Sequence, residues 1–90
     1  MKTIRLLLKG RVQGVGYRYH ASHQASKYDV NGFAKNLRDG SVEIVGQAEN
    51  PAKLALFARE CRRGPLLAKA NSIEETEISG APVYEEFDVL

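Results

Sequence analysis

The stretch Gly10-Arg11-Val12-Gln13-Gly14-Val15-Gly16-Tyr17-Arg18 decides how the rest of this 90-residue chain is read. Before it, Ile4 to Leu8 is an apolar run with Arg5 and Lys9 in its polar positions, which suits a strand. After it, Tyr17, Ala21, Ala25 and Tyr28 recur at the spacing of one helix face. The glycines therefore fall in a strand-to-helix turn. Gly10, Gly14 and Gly16 let the backbone take positive φ values and let a ligand come close to the chain. At a helix start the first N–H groups have no partner inside the helix, and the helix dipole is positive there. Such a turn can bind an anion, and Arg18 adds a planar, permanently charged fork matched to phosphate oxygens.

The two common nucleotide-phosphate motifs do not fit this loop. A Walker loop ends in Gly-Lys-Ser/Thr, whereas Gly16 is followed by Tyr17 and Arg18. The dinucleotide motif needs a third glycine at position 19, which is Tyr19. A small phosphate fits the remaining pattern better than a nucleotide.

Composition bounds the answer further. Ninety residues make one domain, 1–90, with a single core, and a chain of that size buries only about two-thirds of its unfolded surface. Hydrophobic residues make up 43% and charged residues 27%, the balance of an ordinary globular domain. No apolar run approaches the ~20 residues that span a bilayer, and the start of the chain carries no signal-peptide pattern. Cys61 is the sole cysteine, so packing rather than an internal disulfide must hold the chain. A cytoplasmic location is expected. All 13 Lys and Arg lie in residues 1–69 with 5 of the 11 acids (+8), while residues 70–90 carry the other 6 acids (−6). Opposite charges pairing across adjacent strands is the plain explanation, and a basic field drawing an anionic ligand is the functional one.

Taken in order, the chain reads as strand Thr3–Lys9, the glycine loop, and a helix from Tyr17 to Lys27 that stops before Asp29 and Gly32. Val30–Leu37 and Val42–Gln47 read as strands two and three, joined at Asp39-Gly40, a strong hairpin signal. Asn50-Pro51 opens a second helix with a capping side chain and a proline at the first helical position. Leu54, Phe57, Ala58 and Cys61 form its apolar stripe, Arg59, Arg62 and Arg63 its solvated face, and Gly64-Pro65 its stop. A fourth strand falls within Ala68–Ile78, with Ala70 and Ile73 facing inward, and Phe87 with Val89 suggests a short closing strand. The order βαββαβ predicts an α+β, ferredoxin-like fold: a four-stranded antiparallel sheet, with room for a short fifth strand, and both helices on one face. His20 and His23 stand three apart on the first helix without a third ligand of the right type nearby, so no metal site is expected.

At this level of detail the chain resembles the acylphosphatases. The family's first signature, Gly-x-Val-Gln-Gly-Val-x-aromatic-Arg, is present as Gly10, Val12, Gln13, Gly14, Val15, Tyr17 and Arg18. Its second is present as Gly32-Phe33-Ala34-Lys35-Asn36 followed by Asp39-Gly40-Ser41-Val42-Glu43. Two departures are small: Tyr17 stands where phenylalanine is usual, and Ala48 where glycine is usual. The resemblance implies hydrolysis of the carboxyl-phosphate bond of acyl phosphates, without metal or cofactor; a monomer is expected. By position, Arg18 and the amides of Gln13, Gly14, Val15, Gly16 and Tyr17 would hold the phosphate, with inorganic phosphate as product and competitor. Asn36 would orient the attacking water. Phosphoryl transfer through a loose transition state needs mainly positioning and charge stabilisation, and a carboxylate leaves without a strong general acid.

Two rivals share the fold. An RNA-recognition domain has the same element order but needs exposed aromatics on its central strands for base stacking. Strand one, Ile-Arg-Leu-Leu-Leu-Lys, and strand three, Val-Glu-Ile-Val, have none, so nucleic acid is not an expected partner, and without a bilayer-length apolar run neither is a membrane. The second rival keeps the anion pocket without turnover, as a phosphate- or carbamoyl-phosphate-binding module.

Overall fold

A computed structural model describes residues 1–90. The elements are β1 (Lys2–Arg11), α1 (Tyr17–Tyr28), β2 (Asn31–Asn36), β3 (Val42–Ala48), α2 (Pro51–Arg63), β4 (Lys69–Glu77) and β5 (Phe87–Val89). The sheet order is β4-β1-β3-β2-β5. β1 pairs antiparallel with β3 and β4, and β2 pairs antiparallel with β3. β5 does form, but it joins β2 in parallel, so the sheet is five-stranded and mostly antiparallel. β1 also runs two residues past the expected Lys9, because Gly10 and Arg11 pair with Ala70 and Lys69 across a bulge after Lys9.

Strand alternation sorts the two faces. Ile4, Leu6 and Leu8 of β1 sit opposite Gly46, Ile44 and Val42 of β3, and this row faces the helices. Tyr17, Ala21 and Ala25 of α1 and Leu54, Phe57, Ala58 and Cys61 of α2 close the core over it. Phe57 lies so near Gly46 that a Cβ there would come within 2.7 Å of its ring, which explains a glycine inside a buried strand. Asn50 caps α2 with its side-chain oxygen, accepting from the N–H groups of Ala52 (2.9 Å) and Lys53 (3.2 Å). Such a cap contributes about 1 kcal/mol.

The other face of the sheet is half covered by the chain itself. Residues 78–86 fold over the end of the sheet where β1 begins and β3 finishes. There the buried Gln47 donates to Thr3 Oγ1 (2.9 Å) and to the Pro82 carbonyl (2.8 Å), and accepts from the Tyr84 N–H (2.8 Å). Asn31 donates to the Tyr84 carbonyl at 3.0 Å, and the Tyr84 ring meets Phe33 edge-on. The opposite end of the sheet carries the glycine loop and the β2–β3 turn.

Candidate active site

Two buried anchors hold the glycine loop. Val12 and Tyr17 sink into the core on either side of it, leaving Gln13 to Gly16 as a short arch over the end of the sheet. Gly14 (φ 74°) and Gly16 (φ 83°) both lie in the left-handed region. A Cβ at either would meet nothing within 4 Å, so the glycines answer to backbone conformation and leave the space above the loop open. The N–H groups of Gln13, Gly14, Val15 and Gly16 donate to no acceptor in the protein. Gly16 is also the N-cap of α1 and offers no side chain to the first turn, which contains no acid. The result is a row of free donors at the positive end of a helix, an arrangement that attracts anions.

Arg18, in the first turn of α1, is half-buried. Its Nη1 donates to the main-chain oxygen of Leu90 at 2.6 Å, and the Leu90 N–H donates to the Ala34 carbonyl at 2.9 Å. The parallel pairing of β5 thus ties the guanidinium to β2, two residues before Asn36. The Tyr19 ring lies 5.9 Å from the guanidinium carbon. Asn36 is the last residue of β2 and pairs with Val42, itself opposite Leu8, so it belongs to the helix-side row. No protein group bonds its carboxamide. The structure therefore brings the loop, Arg18 and the end of β2 to one edge of the sheet.

Two contacts here carry no sequence signal. The Gln13 side chain turns away from the arch, and its Nε2 donates to the carbonyls of Leu37 (2.8 Å) and Ser41 (2.9 Å) in the β2–β3 turn. The Tyr17 hydroxyl donates to the Cys61 carbonyl, one of the acceptors left free at the end of α2. Beside it, His20 Nε2 lies 2.9 Å from the Glu60 carbonyl. Burial pushes the Tyr17 phenol well above its ordinary range, with a smaller contribution from Cys61. Burial likewise raises the Cys61 thiol.

Charge is distributed unevenly between the two ends. At the loop end Lys9, Arg11, Arg38 and Lys69 have no carboxylate partner, whereas Arg5 is paired with Glu43 at 2.5 Å. Asp39, the acid in the turn, is committed to Ser41, accepting from its hydroxyl and from its N–H at 3.0 Å. Those bonds, with help from nearby Lys9, hold its carboxyl below the usual range. The acidic final third is only partly neutralised, through Glu75 with Arg62 and Glu77 with Lys2. Of the basic face of α2, Arg59 and Arg63 pair with Glu60 on the surface. Two open cavities of about 300 and 370 Å³ lie at the far end, one bordered by Asp29 and Glu49, the other by Asp29, Glu85 and Glu86. The second border, with three acids and no Lys or Arg, disfavours an anion, while Lys53 partly offsets the acids of the first. No three His, Cys, Asp or Glu side chains come together as a metal-binding group.

The fold is a ferredoxin-like α+β sandwich, with the glycine loop and Arg18 together at one sheet end. The acylphosphatase family model matches residues 4–89, and the chain belongs to that family. It is 41% identical over 90 residues to an acylphosphatase of Methylococcus capsulatus, spanning 100% of this chain and 97% of the relative. It is 40% identical over 86 residues to one from Vibrio vulnificus, spanning 96% and 93%. The solved acylphosphatase of Bacillus subtilis superposes with a TM-score of 0.93 at 32% identity, covering 100% of this chain and 99% of that one.

Proposed function

We propose that the chain hydrolyses acyl phosphates to a carboxylate and inorganic phosphate, with residues 1–90 acting as one catalytic unit. The phosphate dianion sits in the arch, accepting hydrogen bonds from the amides of Gln13 to Tyr17, with Arg18 as its bidentate clamp. Asn36 directs a water toward phosphorus, in line with the bond to the acyl oxygen. The water oxygen bonds to phosphorus as the P–O bond to the acyl group breaks, and the electron pair leaves with the carboxylate. The proton released by the water passes to a phosphate oxygen. The rate comes from orientation and from charges fixed in advance.

The observation that carries this reading is the row of amide donors without acceptors beside Arg18. The unpaired cations around it favour an anionic substrate. A metal-free mechanism is supported by the position of the histidines: His20 is engaged with α2, and His23 is exposed on α1. The protein works as a monomer in the cytoplasm, binding neither nucleic acid nor membrane. Against base stacking, Phe33, the one strand aromatic on the open face, is packed against Tyr84, and no helix is long and apolar enough to cross a membrane.

The test is hydrolysis of a simple aryl-acyl phosphate by the purified protein in ¹⁸O-labelled water, with and without exhaustive chelation. Turnover should survive chelation, the label should appear in phosphate, and inorganic phosphate should compete with substrate. Label in the carboxylate, or activity that vanishes with chelator and returns with zinc or magnesium, would exclude this mechanism.

A further inference from the structure

We infer that the Gln13 side chain is a positioning residue that sets the spacing between the phosphate cradle and Asn36, and that it does not touch the phosphate. The inference rests on the roles proposed above for the loop amides and Asn36. One side-chain nitrogen spans the two halves of the site: both its hydrogens go to main-chain carbonyls of the β2–β3 turn, Leu37 O at 2.8 Å and Ser41 O at 2.9 Å. Those residues flank the Asn36–Val42 pair on its outer side, Leu37 following Asn36 and Ser41 preceding Val42.

The turn's own bonds use the same carbonyls, since Leu37 N–H donates to Ser41 O (2.9 Å) and Gly40 N–H to Leu37 O (3.2 Å). Gln13 therefore completes the second acceptor site of each. These two bonds are the only hydrogen bonds joining residues 12–16 to residues 37–41. Beyond them Arg38, Asp39 and Gly40 are exposed, so no other hydrogen bond fixes the tip of that turn against the arch.

The residue type follows from the geometry. Two carbonyl oxygens facing one side-chain end require a group with two N–H bonds and no competing charge, which the glutamine amide supplies. Asparagine is one methylene shorter. Glutamate, nearly the same shape, would set oxygen against oxygen. Meanwhile the Gln13 main-chain N–H remains free for the cradle. A single residue thus offers its backbone to the phosphate and its side chain to the strand that ends in Asn36.

The experiment compares wild type, Gln13→Met and Gln13→Glu, reading kcat, KM, the inhibition constant of inorganic phosphate, and hydrogen exchange at the Leu37 and Gly40 amides. For Gln13→Met, kcat should fall about 10-fold or more, with KM and the phosphate constant within about threefold, the pattern of a lost transition-state alignment. Gln13→Glu should lose more. Exchange at Leu37 and Gly40 should quicken by about 10-fold. In an Asn36→Ala background, Gln13→Met should lower kcat no further, because the two residues act through one step. Should Gln13→Glu fail to fold, Gln13→Met carries the test. Unchanged kcat, a loss confined to KM and phosphate affinity, or full multiplicative losses in the double variant would each overturn the inference. Failure of Gln13→Met to fold would overturn it too, since the residue would then hold the fold and not the spacing. Absence of turnover in wild type would instead defeat the proposed activity, leaving the exchange rates to judge the strut by themselves.

Discussion

The two ends of the sheet use the same backbone chemistry for opposite purposes. At the far end, a buried glutamine saturates its surroundings: Gln47 bonds Thr3, Pro82 and Tyr84, and the 78–86 segment closes over it. At the loop end, the donors of Gln13 to Gly16 stay without acceptors, and the glycines leave open space above them. Acids outnumber cations along the far end, where Lys53 alone among Lys and Arg lines the two cavities, and cations without a carboxylate partner gather at the loop end. A protein can leave donors unpaired only where water or a ligand reaches them. The difference separates an end whose polar groups are satisfied from one whose donors are left for the ligand of the proposed function.

Substitutions should follow that division. The largest effect belongs to Arg18→Ala, which should abolish measurable turnover and raise KM while leaving the thermal midpoint nearly unchanged, because in the proposed mechanism the guanidinium holds ground and transition state alike. A folded Arg18→Ala protein with near-normal activity would remove the loop end's claim to the chemistry. Next, Asn36→Ala should lower kcat by about 10²-fold with far less change in phosphate affinity, the scale of lost nucleophile positioning. Asn36→Asp should be inactive as well, because it sets a negative charge beside a dianion. A loss lying wholly in phosphate affinity would move Asn36 from the water to the cradle.

The far end should answer in stability instead. Gln47→Leu strands the Pro82 carbonyl and the Tyr84 N–H, and should cost about 1–3 kcal/mol in denaturant unfolding. Its kcat and KM should stay within about twofold of wild type, since distant sites act independently. Equal losses of activity and stability would mean that the two ends are coupled. The smallest effect belongs to Tyr17→Phe, which frees the Cys61 carbonyl and should cost about 1 kcal/mol with activity retained. Its pH dependence is the sharper readout. The folded protein keeps the Tyr17 phenol and the Cys61 thiol protonated where the unfolded chain ionises them. Their contribution is therefore intact below the ordinary thiol and phenol values, about 8.5 and 10, and stability falls as pH rises beyond them. Tyr17→Phe should flatten the phenol part of that fall, and melting curves between pH 8 and 11 (about the range of those two ordinary values) would show it.

The elements were legible because their signals are local. Apolar alternation marked β1, Asp39-Gly40 marked the β2–β3 turn, and Asn50-Pro51 with Gly64 bracketed α2. The loop and Arg18 stand out as a candidate anion site for the same reason, since glycine, helix start and arginine stand side by side. What stayed hidden was every contact from a side chain to a distant carbonyl. Gln13 reaches Leu37 and Ser41, Tyr17 reaches Cys61, and Arg18 reaches Leu90, 72 residues away. Every residue carries a carbonyl, so the sequence does not mark which one accepts. The parallel direction of β5 was hidden for a related reason: three residues at a sheet edge carry a strand signal but none of orientation.

The account turns on the arch being the phosphate site, and one titration addresses that directly. Inorganic phosphate added to ¹⁵N-labelled protein should shift the backbone amides of Gln13, Gly14, Val15, Gly16 and Tyr17 together, along one binding curve. The dissociation constant should equal the constant for inhibition of turnover, and the Gln47 and Tyr84 amides should stay still. Shifts centred on the far end, or a loop that does not respond at phosphate concentrations that inhibit, would contradict the account.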